Sequence, residues 1–142
     1  MKMIYNISYN DRNIKSKIEN DIDKPLSLSQ KFLIGGSGSP KLYITECSSE
    51  IKKYLNKDNN INTCIIEIRN RGIIVMFRSI LETYALTIPF FKLNIYKGKS
   101  NEYSIYKDNY YVKILANTKA VHDFMKKIKN FKIKKTDLSS FN

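Results

Sequence analysis

Thr63-Cys64-Ile65-Ile66-Glu67-Ile68-Arg69-Asn70-Arg71-Gly72-Ile73-Ile74-Val75-Met76-Phe77-Arg78 is the stretch whose reading decides the fold. Two β-rich runs flank a short polar turn that carries a glycine, the pattern of an antiparallel hairpin. Toward the C-terminus the same two-residue period continues. Tyr84, Leu86 and Ile88 alternate with Thr83, Ala85 and Thr87, and Pro89 ends that strand because proline has no N–H for a ladder. Leu93 and Ile95, Tyr103 and Ile105, and Tyr110, Val112 and Ile114 mark three more strands, separated by turns at residues 97–101 and 107–109. Strands this short, with a turn about every 8–12 residues, are the spacing of an all-β unit. No helical period interrupts them, so parallel crossovers are excluded.

Outward from this block the period changes. Ala120, Val121, Phe124, Met125, Ile128 and Phe131 lie on one helical stripe, with Asn117 or Thr118 placed to cap it. On the N-terminal side, Leu42 to Cys47 is a further strand, and Ser48 or Ser49 can cap a short helix carrying Ile51, Tyr54 and Leu55. Residues 56–60 read as an exposed loop. Met3, Tyr5, Ile7 and Tyr9 suggest a short strand. Ile14, Ile18 and Ile22 suggest a short helix over residues 13–21, capped by Asp11 or Asn13 and ended by Pro25. Leu26, Leu28, Phe32 and Ile34 offer an apolar anchor to the rest, and Gly35 to Pro40 reads as a flexible hinge.

Six to seven short strands followed by one amphipathic C-terminal helix resemble a pleckstrin-homology-like (PH-like) domain of bacterial type. The hairpin Glu67 to Val75, the strand ending in Ile88-Pro89 and the closing helix Ala120 to Ile128 carry the resemblance, which spans residues 42–131. It implies an α+β, β-rich fold: a six- to seven-stranded antiparallel barrel or sandwich capped by the helix. The expected organisation is an N-terminal extension (1–40), a PH-like domain (41–133) and a basic tail (134–142). PH-like domains bind phosphoinositides, peptides or proteins, so the expectation is a non-catalytic binding or scaffold module for a protein partner or an anionic membrane surface.

Charge points the same way. The net charge is +12, and residues 117–142 alone carry seven basic and two acidic residues. Basic excess favours anionic partners. Yet only four of the 25 basic residues are arginine, and the Lys, Ile, Asn and Tyr content is also what an AT-rich genome encodes.

Arg69 and Arg71 flank the hairpin turn and would present two guanidinium forks to an anion. In lipid-binding members of the resembled family a basic residue, a spacer and an arginine in the first hairpin contact inositol phosphates. The lysine expected just upstream is missing here, the nearest being Lys57. A second candidate anion or partner surface is Lys126, Lys127, Lys129 and Lys132, continued by Lys134 and Lys135. Both groups also read as ordinary solvated charge. A third surface, Tyr103, Tyr106, Tyr110 and Tyr111 with Lys97, Lys99, Lys107 and Lys113, would suit an alternative nucleic-acid role through base stacking.

No enzyme constellation is visible, and no cofactor or metal is expected. Residues 35–42 fail the phosphate-loop pattern at Pro40 and Leu42. His122 is the only histidine and reads as an exposed helical residue; Cys47 and Cys64 are not clustered with it. Cys47 precedes a possible helix start, which would lower its pKa, although structural burial is the commoner fate. No apolar run approaches a bilayer span and no signal-peptide pattern opens the chain, so a cytoplasmic protein with reduced thiols is expected.

Overall fold

A computed structural model describes residues 4–55, 62–79, 81–99 and 101–140. The chain is α+β: among the described residues eight antiparallel strands form one open sheet, joined by four α-helices and one 3-10 turn. The strands are β1 (Ile4–Asn6), β2 (Leu42–Cys47), β3 (Thr63–Ile68), β4 (Gly72–Ser79), β5 (Glu82–Pro89), β6 (Leu93–Lys97), β7 (Glu102–Lys107) and β8 (Tyr110–Leu115). The helices are α1 (Arg12–Ile22), α2 (Leu28–Ile34), α3 (Ser49–Leu55) and α4 (Lys119–Ser140). The expected loop at 56–60 and Lys57 lie outside the described residues, as does Met3.

The order across the sheet is β1-β5-β4-β3-β2-β8-β7-β6. The predicted hairpin is present with Ile66 opposite Val75 and Ile68 opposite Ile73. Strand β2 links the two halves of the sheet. Its first residues, Leu42 and Tyr43, pair with β3, and from Ile44 onward it pairs with β8, with an irregularity between Ile44 and Glu46. Such breaks let one strand serve two differently directed ladders.

One face of this sheet holds the core. Ile66, Ile68, Ile73, Val75, Phe77, Leu86, Ile88, Ile105, Val112 and Ile114 are buried in a single cluster with Val121, Phe124, Met125 and Ile128 of α4. The helical stripe read from the sequence is therefore the surface that closes the core. Thr118 caps α4 at the Val121 N–H (3.4 Å). The helix continues to Ser140, so the expected tail from residue 134 is helical for most of its length.

Two expectations need correction. The strand count is eight, above the six or seven expected, because β1 adds to the edge of β5 with Tyr5 opposite Ala85. The reason is visible in the unbroken apolar run of β4. A strand covered on both faces loses its alternation; Ile74 and Ala85 form a second buried cluster with Ile18 and Ile22 of α1 on the other face of the sheet. Each such isoleucine contributes ~1.5–3 kcal/mol by burial. Residues 4–22 are thus part of the packed fold. Gly35 to Pro40 is likewise no free hinge. The Ile68 N–H donates to Ser37 O (2.8 Å), the Ile66 N–H to Ser39 Oγ (2.9 Å), and Ser37 is buried.

Candidate functional site

Helix α2 is the anomaly of this structure. It forms for a local reason: Ser27 and Gln30 make a reciprocal capping box, Gln30 N–H donating to Ser27 Oγ and Ser27 N–H to Gln30 Oε1 (3.2 and 3.0 Å). Gly35 ends it with φ at 73°, the left-handed conformation that favours glycine. The helix is held in place by polar contacts. Gln30 Nε2 donates to Asn70 Oδ1 on the β3–β4 turn (3.1 Å). Lys127 of α4 donates to Gly35 O and Gly36 O (3.2 and 3.1 Å), a cation at the negative end of α2.

No α2 residue is buried. Leu28 is 85% exposed, Phe32 86% and Leu33 81%. Leu28 and Phe32, four residues apart, share one side of the helix. The sequence expectation that Leu28 and Phe32 anchor the N-terminal segment is therefore reversed; Leu26, which is buried, performs that role. The capping box and the terminal glycine were the sequence signals of this helix, and burial periodicity does not reveal it.

A groove of 420 Å3 runs between α2 and α4, lined by Leu33, Ile34 and Phe131 with Lys126, Lys127 and Lys134. Lys126 and Lys134 are exposed and make no ion pair among the described residues. The sequence-predicted lysines divide at this point. Lys126 and Lys127 border the groove. Lys129 is exposed on the same helix. Lys132 is half-buried and donates to Leu93 O at the start of β6, a structural contact.

The hairpin arginines lie apart from this groove and do not face solvent as a pair. Arg69 is buried. Its Nη1 donates to Asp23 O (2.8 Å), and its Nε and Nη2 reach Glu67 Oε2 (both 3.4 Å). Arg71, more exposed, donates through Nη2 to Glu19 O and Asn20 O (2.9 and 3.1 Å) and pairs with Asp23 (3.6 Å). Both guanidinium groups bind the carbonyls at the C-terminal end of α1, where a helix leaves its acceptors unsatisfied. The two-fork anion geometry expected at this turn is replaced by a clamp on α1.

The tyrosine–lysine face is also rearranged, because alternate residues of a strand face opposite ways. Tyr103 turns into the core, with its hydroxyl 2.9 Å from Nδ1 of His122. His122 is accordingly half-buried and hydrogen-bonded, in contrast to the exposed residue expected. Tyr110 packs against the core as well. A ladder of Tyr96, Tyr106 and Tyr111 remains on the other face, with ring centroids 5.7 and 5.5 Å apart. Of its lysines, Lys113 contacts Glu46 (3.5 Å) and lies over the Tyr111 ring, and Lys107 is buried against Thr87 O.

Burial pushes the Cys64 thiol up to about 12. It raises Cys47 also, so the expected helix-start activation is overridden by desolvation. Burial lowers the Lys107 ammonium to about 8. Among the described residues no group of three or more His, Cys, Asp or Glu is placed to hold a metal ion, and no helix is long and apolar enough to cross a membrane. Comparison with known protein families, with characterised proteins and with solved structures finds no match for this chain.

Proposed function

We propose that this protein is a non-catalytic binding module with a PH-like core that docks on an anionic membrane surface through α2 and the adjoining face of α4. The observation that carries the reading is the outward presentation of Leu28, Phe32 and Leu33 on a helix that polar contacts hold beside the exposed Lys126 and Lys134. Soluble surfaces tolerate scattered apolar side chains, whereas three on one seven-residue helix form a patch of the kind that marks an interaction site. Apolar insertion and basic charge are the two signals that together give stable attachment. Each lysine near an anionic leaflet adds ~1 kcal/mol. The three side chains add ~25 cal/mol for every Å2 that they withdraw from water.

The PH-like part of the proposal is supported by the order β5-β4-β3-β2-β8-β7-β6, two meanders (β2 to β5 and β6 to β8) joined where β2 pairs with β8 and packed against helix α4. Residues 4–34 are an addition to that core, and they supply the docking helix.

Vesicle co-sedimentation tests the proposal. Binding is expected to vesicles of phosphatidylcholine with phosphatidylglycerol and not to phosphatidylcholine alone, and to weaken with salt. The double variant Phe32→Ser/Leu33→Ser should lose binding, and Lys126→Glu/Lys134→Glu should lose the salt-sensitive part. Equal binding to both vesicle types, or binding untouched by both variants, overturns it. Retention of single-stranded nucleic acid with a steep salt slope, in place of vesicle binding, would favour the nucleic-acid alternative.

A further inference from the structure

A second concavity lies on the opposite side of the sheet from the core, between α1 and β4. It has a volume of 460 Å3; Ile7, Ile14, Ile18, Ile74 and Met76 give it an apolar strip, and Ser8, Tyr9 and Asn10 add polar groups to the lining. Sites for small molecules are clefts of ~300–1,000 Å3 with mostly apolar linings. This cleft exists because α1 covers β5 and only part of β4. Ile18 and Ile74 are fully packed, while Ile7, Ile14 and Met76 are left half-covered.

The charges at its mouth restrict what can enter. Asp11 accepts the first N–H groups of α1, from Asn13 and Ile14 (2.8 and 3.4 Å). Arg69 is held by Glu67 and Asp23. The two remaining charges, Lys15 and Glu19, are of opposite sign one helical turn apart. An ionised head group would therefore find no net counter-charge, and the lining offers an apolar chain what water does not. Pro25, in the short connection that leads into α2, completes the wall.

We infer that the cleft between α1 and β4 binds an uncharged ligand with a single alkyl chain, of the class of a neutral lipid or long-chain alcohol. The chain lies along Ile14, Ile18, Ile74 and Met76, and the head stays at the polar mouth. This site is separate from the α2–α4 groove and needs no membrane.

The uncharged fluorophore N-phenyl-1-naphthylamine, added to the full chain without vesicles, tests the inference. A saturable rise in fluorescence is expected, reversed by 1-alkanols whose affinity grows about fourfold per methylene until the cleft is filled. Dodecanol should displace the probe better than dodecanoate in high salt. Met76→Trp, which fills the cleft from the sheet, should abolish the rise. Ile14→Trp on the facing wall should do the same, so that one folded variant suffices, as checked by urea unfolding. Phe32→Ser/Leu33→Ser should leave the rise unchanged. No saturable signal, a signal that survives both tryptophan variants, loss of signal in the α2 variant, or preference for dodecanoate each overturns the inference.

Discussion

Replacing Arg69 with methionine separates a structural arginine from a ligand-binding one. The substitution keeps an unbranched apolar stem in a buried position and removes only the guanidinium. Three contacts vanish: the 2.8 Å bond to Asp23 O and the two 3.4 Å contacts to Glu67 Oε2. A hydrogen bond from a charged donor is worth ~1.5–3 kcal/mol. Glu67, whose side chain is 21% exposed, loses its cation in a place where water can only partly replace it. Breaking a fully buried pair costs ~3–5 kcal/mol, so partial exposure brings the total for Arg69→Met to about 2–4 kcal/mol. With a urea m value of ~2 kcal/mol/M, the middle of the usual range for small domains, the midpoint should fall by roughly 1–2 M. Adding Glu67→Gln should restore part of the loss, because the stranded carboxylate is then neutral. Anionic vesicle binding by the folded fraction should be unchanged. An unaltered urea midpoint together with lost vesicle binding would refute the clamp and return Arg69 to the anion site expected from the sequence.

Two further results follow from the packing. A Cβ at Gly72 would lie 2.4 Å from Ile88 O and 2.6 Å from Ile22 Cγ2, whereas one at Gly98 meets nothing nearer than 3.5 Å. Gly72→Ala should cost about 1–3 kcal/mol in urea unfolding by prising β4 from β5 and α1, and Gly98→Ala should cost less; equal effects would contradict the close approach. Stability above pH 8 should show two opposing slopes. Lys107 has a folded pKa of about 8 against ~10.4 unfolded, so the unfolded state binds more protons between them and folding gains as pH rises. Cys64 has a folded pKa of about 12 against ~8.5 unfolded, so folding loses over that range. Urea midpoints measured at pH 8, 9 and 10 should therefore climb more steeply in Cys64→Ala than in the parent, and fall in Lys107→Met; three parallel slopes would show that burial does not govern either group.

The sequence by itself determined the strands from Thr63 to Leu115, the β3–β4 hairpin, α1 and the closing helix. These follow from alternation, helical spacing and turn residues, all of which act between near neighbours along the chain. Even α2 was legible in principle, from Ser27, Gln30 and Gly35. Which way α2 faces was not, because Leu28, Phe32 and Leu33 read equally well as core. Their exposure depends on Asn70 and Lys127, 40 and 92 residues away from their partners on and beside the helix. The same holds for Arg69, whose spacing around a turn resembles an anion site until Asp23, 46 residues distant, takes its donor. The coverage of β4 on both faces, and the cleft that this incomplete coverage leaves, are also decided only when α1 is laid on the sheet. Local physics assigns each segment its conformation; long-range packing chooses which of its groups remain for a partner.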